Sequence, residues 1–409
     1  MLSVDEALER ILANFALLPA EMISIRDAFG RVLAEDVHAT ASLPPFANSS
    51  MDGYAVRAAD IAAATPNAGA ILKVIGDIPA GTAPTFTVGA GQAARIMTGA
   101  PLPDGANAVV PVEQTDDPSG RLGVVVPEQI TVLKPVRLGD YVRPVGEDWR
   151  QGEVMLTAGR ILRAADLGVL AGMGVPRVAV IRRPKIAILS TGDEVLDADQ
   201  PLTPGKIRDM NSYALNGLIQ ELGAESLVLG IAHDTVEDVH RKLAIAIESK
   251  ADLIVSSAGV SVGAYDVVKS VVDSLGGLNF WKVNVRPGKP LAFGQVRNIP
   301  FIGLPGNPVS ALVTFDVFAR PAILKMMGKP LNIAIVEAEA GEQIPSDGRQ
   351  SYIRVTLTRS GDRLIARPTG TQSSGALSSL VRADGLLIIP AGVTHVAPGT
   401  RLQVRLYGN

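Results

Sequence analysis

The run KIAILSTGDE, residues 185–194, decides how the chain is to be read. Its first six residues form a nearly unbroken apolar stretch of strand length. A threonine, a glycine and two acids follow at once. A strand covered on both faces reads as a continuous apolar run, whereas a half-exposed strand alternates. Outward from it the same texture recurs in SLVLGIA (226–232), ADLIVSS (251–257), FWKVNV (280–285), LAFGQV (291–296) and PFIGL (300–304). Helical patterns lie between them. NSYALNGLIQELG (211–223) is amphipathic and stopped by Gly223. TVEDVHRKLAIAIESK (235–250) is opened by Thr235, and YDVVKSVVDSLG spans 265–276. NPVSALVTFDVFARPAILKMMG (307–328) reads as one long helix. Alternation of apolar strands with helices predicts a mostly parallel α/β sheet covered on both faces.

The flanks differ. Residues 1–40 begin with a helical pattern at Val4, Ala7, Leu8, Ile11, Leu12 and Phe15, capped by Ser3, and then turn extended. Residues 41–145 hold short β runs between Gly/Pro turns: AILKVIGDI, QAARIMTGA, ANAVVPVEQ and LGVVVPE. Residues 146–177 return to helix at ADLGVLAGMG. Residues 329–409 revert to β with YIRVTLTRS, RLIARP, GLLIIPAG and RLQVRLY. The expected division is therefore a helical and extended linker domain (1–40 with 146–177), a β-rich domain (41–145), an α/β domain (178–328) and a C-terminal β domain (329–409).

Bulk composition agrees with a multi-domain globular chain. Of 409 residues 47% are hydrophobic and 19% charged, with 41 Gly and 28 Pro. Net charge is −3, which argues against a nucleic-acid surface. The absence of cysteine excludes disulfides and thiolate metal sites, and the four histidines show no ligand spacing. A metal here should be a hard cation held by carboxylates and phosphate oxygens, magnesium first. The N-terminus has acids and no basic lead segment, and no apolar run reaches spanning length. No membrane association and a cytoplasmic location are expected.

Ligands of open α/β sheets sit at the carboxyl ends of the strands. Four loops occupy that place here. Ser190, Thr191 and Gly192 lead to Glu194. Ser257, Gly259, Ser261 and Gly263 lead to Asp266. Arg286 and Lys289 follow the FWKVNV strand. Pro305, Gly306, Asn307 and Pro308 open the last helix. Small residues let backbone N–H groups approach an anion, and Arg286 and Lys289 add positive charge. Glu194, Asp234 and Asp266 would repel that anion unless a cation lay between. Magnesium at Glu194 and Asp266, bridging to phosphate, resolves the conflict. Each feature also has a plain reading: a tight turn, a first-turn helix acid at Glu194, an N-cap at Asp266, a solvated charge at Lys289. Convergence on one rim, not any single residue, carries the prediction.

The motifs STGDEV (190–195), SAGVSVGAYDVVK (257–269), RPGKPLAFG (286–294) and GLPGNPVSA (303–311) closely resemble the MoeA family. So do NSSMDGYAV (48–56), RIMTGAPLPDGANAVV (95–110) and GEDWRQGE (146–153). This family comprises molybdopterin molybdenumtransferases related to the gephyrin E domain. The resemblance implies a β-barrel-like C-terminal domain, a homodimer, and transfer of molybdenum from molybdate to adenylyl-molybdopterin with release of AMP. A molybdopterin adenylyltransferase would be the upstream donor. By motif it assigns Asp52, Thr98, Asp148, Glu194, Asp234 and Asp266 to the reaction, and Pro305 and Pro308 to the loop under the substrate. Ser374, with Arg349 or Arg354, is a further candidate. Met51 and Tyr54 would anchor the loop that carries Asp52. Departures are Ala47 and Ala264 where acids are usual, and Arg286 where lysine is usual. The alternatives are a molybdopterin adenylyltransferase, which needs only the α/β domain, and a non-catalytic gephyrin-like scaffold.

Overall fold

A computed structural model describes residues 1–117, 125–257 and 265–407, without the side chains of Tyr265, Asp266 and Phe280. The chain divides into two compact units. The first comprises Met1–Glu21, Gly30–Ala34 and Ala179–Asn409, the second Met22–Phe29 and Glu35–Val178.

The first unit is built on a six-stranded sheet of β1 (Lys185–Thr191), β2 (Glu225–Ala232), β3 (Leu253–Ser257), β4 (Leu278–Lys282), β5 (Pro290–Val296) and β6 (Ile299–Leu304), in the order β2-β1-β3-β6-β5-β4. β2, β1, β3 and β6 pair parallel. β5 is antiparallel to both β6 and β4, so β4 again runs with the parallel set. The carboxyl ends of β1, β3, β4 and β6 therefore share one rim, as the apolar runs predict.

Side-chain alternation divides β1 between two cores. Ile186 and Ile188 pack with α1 (Val4–Leu12), α2 (Asn211–Glu221), α5 (Pro308–Thr314) and α6 (Arg320–Met326). Ala187 and Leu189 pack with α3 (Val236–Glu248) and α4 (Tyr265–Leu275). Each fully buried Ile, Leu or Val contributes about 1.5–3 kcal/mol by burial, so covering both faces specifies this layer strongly.

Local signals set the helix ends. Ser3 and Glu6 form a capping box on α1, Thr235 accepts from the Asp238 N–H of α3, and Gly223 follows α2 at φ +83°. The expected long helix over 307–328 is helical without a gap from 308 to 326, but its hydrogen-bond register changes within it. α5 ends at Thr314, a π-helical stretch covers Phe315–Ala319, and α6 restarts at Arg320. Pro321 cannot donate to the helical ladder and its ring opposes the preceding turn, which accounts for the widened π-helical stretch before it.

The C-terminal part closes into a five-stranded barrel of β7 (Ile335–Ala340), β8 (Gln350–Ser360), β9 (Arg363–Pro368), β10 (Gly385–Ile389) and β11 (Arg401–Leu406). β8 pairs with β9, β9 with β7, β7 with β11, β11 with β10, and β10 with β8. Closure removes the open edges that an isolated sheet would expose. A two-residue strand, Val285–Arg286, pairs parallel with Gln350–Ser351 and ties the barrel to the segment after β4.

The second unit holds a five-stranded sheet in the order Ala108–Pro111, Gly53–Val56, Gln92–Ile96, Ala70–Ile78, Gln129–Val132. The strand expected at LGVVVPE lies later, at Gln129–Val132; residues 122–124 of that run are outside the described set. Gly53 is required by close packing, because a Cβ there would lie 2.0 Å from the Val110 carbonyl oxygen.

Candidate functional site

The strand-end loops of the first unit and the barrel together line a cavity of about 1020 Å³. β1 delivers Ser190 and Thr191, both buried, and Glu194 follows. Gly192 stands at φ +133°, where a Cβ would meet Glu194 Oε2 at 2.7 Å, so glycine lets that carboxylate fold back over the turn. β3 delivers Ser257. The loop after β6 delivers Pro305, Gly306, Asn307 and Pro308, with Asn307 as N-cap and Pro308 in the first turn of α5. The segment after β4 delivers Arg286, and the barrel adds Arg349, Arg354 and Ser374. The Val309 N–H donates to the Ser374 carbonyl at 3.0 Å, joining barrel loop to α5.

Two residues that sequence reasoning did not single out organise the floor. Asp209 is buried and lies two residues before α2. Its Oδ2 accepts from Ser190 Oγ at 2.7 Å and Ser212 Oγ at 2.6 Å, and its Oδ1 accepts from the N–H groups of Asn211 and Ser212, both at 3.0 Å. Asn211 Nδ2 donates to Ser257 Oγ at 2.6 Å and to the Gly306 carbonyl at 2.7 Å. Three strand ends are thus held by one aspartate and one asparagine. The signal was an Asp-x-Asn-Ser string before a helix, a capping pattern that sequence alone reads as local.

Charge in the cavity is split. Glu194, Asp209 and Asp234 supply carboxylates. Burial, with the charges of Asp193 and Glu194, pushes the Asp234 carboxyl above its usual range, although the Asp193 contact opposes this. Asp234 Oδ1 and Thr191 Oγ1 are buried without a hydrogen-bond partner among the described residues. Arg208, Arg286, Arg349 and Arg354 supply the positive charge, and Arg286 and Arg349 share one carboxylate, Asp347.

Not every expected residue is there. Lys289 is exposed and outside the cavity lining, although its carbonyl accepts from the Val283 N–H at 3.0 Å. The reason is local: Gly288 and Pro290 face the cavity and the side chain between them does not. Gly259, Ser261 and Gly263, with Ala264, lie outside the described residues. Asp266 falls in the first turn of α4, but its side chain is not described.

Asp52, Thr98 and Asp148 belong to the second unit. Asp52 Oδ1 accepts from both the backbone N–H and the hydroxyl of Thr98, each at 2.7 Å. Those bonds, the backbone one first, hold the Asp52 carboxyl below its usual range. Asp148 is exposed and its N–H donates to the Leu43 carbonyl at 3.0 Å. Tyr54 is fully buried and donates to Asp117, as an anchor should. Met51 is exposed and anchors nothing by burial; Ser49 holds that turn instead, its Oγ donating to the Met51 carbonyl at 2.5 Å. Short serine turns of this kind fix a loop without apolar contact.

Thr98→Val removes the hydroxyl and keeps the N–H. It should move the Asp52 pKa part of the way back toward 3.8, read by carboxyl-carbon NMR titration. A depressed folded pKa gives stability above the unfolded value that is lost as pH falls through the folded one. Asp52 is exposed, so that contribution is small. An unmoved titration would show that the hydroxyl does not hold the carboxylate.

Comparison with known proteins follows the whole chain. Residues 2–174 match the family model of the MoeA N-terminal region (domain I and II), 187–325 that of a probable molybdopterin binding domain, and 337–407 that of the MoeA C-terminal region (domain IV). A Nostoc sp. relative named molybdopterin molybdenumtransferase is 39% identical, covering 94% of this chain and 88% of its own. A Haemophilus influenzae relative of the same name is 38% identical, covering 100% and 99%. A crystal structure described as a molybdopterin biosynthesis MoeA protein from Pyrococcus horikoshii superposes with a TM-score of 0.85 at 33% identity, covering 100% of both chains.

Proposed function

This chain belongs to the MoeA family of molybdopterin molybdenumtransferases, and from that membership we propose that it inserts molybdenum from molybdate into adenylyl-molybdopterin and releases AMP. The observation that supports this reading best is the mixed charge of one cavity, with carboxylates from the strand-end loops and guanidinium groups from those loops and from the barrel. A substrate carrying a phosphoanhydride, together with an oxyanion, calls for both. Arg286 holds an anionic group of the substrate, and Ser190, Thr191, Ser257 and the Pro305–Pro308 loop shape its seat. Asp52, Thr98 and Asp148 are assigned to the same reaction on their motifs.

Asp234 Oδ1, buried and unpartnered among the described residues, fits a divalent cation. Magnesium takes one or two carboxylates and completes its shell with water and phosphate. No cluster of three ligating side chains is needed, and none occurs among the described residues. Two of the carboxylates at Glu194, Asp234 and Asp266 would hold magnesium, which when bound would offset the negative charge of the phosphate oxygens.

The proposal extends to a homodimer, to the cytoplasm, and to a molybdopterin adenylyltransferase as the upstream donor. Among the described residues no helix is long and apolar enough to cross a membrane. Thermal shift with AMP, ATP and molybdate, each with magnesium, tests the reading. AMP and molybdate should raise the melting temperature. A gain confined to ATP would point to adenylyl transfer, and no ligand effect would point to a scaffold.

A further inference from the structure

We propose that a cationic groove across the amino ends of the sheet strands, lined by Arg182, Arg183, Lys185, Lys250 and Arg297, docks an acidic peptide segment of a partner protein. The groove lies at the opposite end of the strands from the cavity, and its role does not depend on the molybdenum-transfer reading.

Two adjoining depressions of about 370 and 380 Å³ share Arg182 and Lys250. Lys185 begins β1 and Glu225 begins β2, Lys250 lies between α3 and β3, and Arg297 sits in the two-residue turn between β5 and β6. In the strand order β2-β1-β3-β6 this row crosses three strand spacings, about 14 Å. The acids beside it are largely taken. Asp252 accepts from Arg182 Nη1 at 2.8 Å, from Arg182 Nη2 at 2.5 Å and from the Lys185 N–H at 2.8 Å. Glu21 pairs with Arg31 at 2.5 Å, and Lys185 Nζ donates to the Ser249 carbonyl at 3.2 Å. The exposed side chains of Arg183, Lys250 and Arg297 make no hydrogen bond or ion pair among the described residues, and Glu225 is the one carboxylate left facing them. The excess reaches Lys329, whose ammonium is held below its usual range by burial first, and then by the charges of Arg183 and Arg31.

Two of these cations stand where glycine fits the backbone best. Among the described residues only Tyr141, Lys250 and Arg297 combine a side chain with a positive φ. Lys250, at φ +54°, follows the C-cap Ser249 of α3, in the left-handed position that ends many helices. Arg297, at φ +55°, is the first central residue of its hairpin, where glycine is usual. The negative ends of α3 and α4 lie beside them and favour a cation; the Arg297 N–H donates to the Leu275 carbonyl at 2.6 Å. At exposed positions that gain is smaller than the strain of a Cβ in this conformation, so stability alone does not place them. Both side chains line the same depression as Arg182. In a chain of net charge −3, such a row is a local field that draws anions. Its cations are spread along the row and do not converge on one point. That suits a run of carboxylates on about four residues of extended chain better than one compact phosphate.

The test is fluorescence anisotropy of labelled hexaglutamate at low salt, with hexaglutamine and inorganic triphosphate as comparison probes. The proteins are the unaltered chain, the double variant Lys250→Gly with Arg297→Gly, and a control, Lys134→Gln with Arg137→Gln, which removes two exposed cations of the second unit. Hexaglutamate should bind the unaltered chain, hexaglutamine should not, and added salt should weaken the binding. The glycine variant should bind about tenfold more weakly, the scale of losing two counter-charges. It should melt no lower than the unaltered chain, because glycine relieves both left-handed positions. The control should stay within about threefold. If the glycine variant does not fold, Lys250→Gln with Arg297→Gln decides by the same tenfold criterion. The proposal is overturned if hexaglutamate does not bind the unaltered chain, if hexaglutamine binds equally, if the glycine variant keeps its affinity, or if the control loses as much. A glycine variant that folds but melts clearly lower would make the two cations structural supports and overturn it as well. Triphosphate displacing the label at lower concentration than unlabelled hexaglutamate would mark a compact-anion site and rule out the peptide occupant.

Discussion

Asp234→Asn should lower AMP release from adenylyl-molybdopterin about 100-fold or more, the scale for removing one preorganised electrostatic contact, while leaving the protein folded. Burial raises the pKa of the Asp234 carboxylate, and the charges of Asp193 and Glu194 add to the effect. A raised folded pKa means that the native state binds the proton more tightly than the unfolded chain. That contribution to stability is present at low pH and is lost as pH rises through the folded pKa. At neutral pH the charged Asp234 is therefore a strain that a cation would relieve. The amide removes the strain and the cation's partner together. Without magnesium, Asp234→Asn should melt no lower than the unaltered chain. With magnesium, the unaltered chain should gain melting temperature and the variant should gain less. AMP release within threefold of the unaltered rate would remove Asp234 from the mechanism.

The second large effect is structural. Asp209→Ala deletes a buried acceptor used by two hydroxyls and two backbone N–H groups. Each buried donor left unpaired costs about 1–3 kcal/mol, so a loss of about 3 kcal/mol or more is expected even if some donors find other partners. For a domain of this size that corresponds to roughly 6–12 °C in melting temperature. Asp209→Asn keeps the shape and one acceptor and should lose clearly less. Because Ser190 is released from its tie and Asn211 from its cap, AMP affinity should fall with stability in the alanine variant. A melting temperature within 2 °C of the unaltered chain, about the shift expected from a loss below 1 kcal/mol, would show that the network is not what holds the floor.

The α/β sheet was legible because a strand buried on both faces leaves an unbroken apolar run, as in KIAILS and ADLIVSS. β7 was not, because Ile335–Ala340 alternates acids with small apolar residues and only one face meets the barrel core. The helix over 307–328 read as continuous because its apolar content never lapses; the π-helical stretch ahead of Pro321 left no mark in that pattern. Candidates such as Ser190, Glu194, Asp234 and Arg286 could be brought to one cavity, since strand order fixes which loops share a rim. The links between them could not. Asp209 reaches back 19 positions to Ser190, and Asn211 reaches 95 positions on to Gly306. No periodicity records such distances. Lys289 lies outside the cavity lining for the converse reason: its motif says which loop it belongs to, but not which way one side chain in that loop turns.

The most direct measurement of the account is the conversion of adenylyl-molybdopterin by the purified chain, with AMP and pterin-bound molybdenum followed together. AMP release should require molybdate and magnesium and match the molybdenum gained by the pterin. Intact adenylyl-molybdopterin after prolonged incubation with both, or AMP formed with no molybdenum on the pterin, would contradict it.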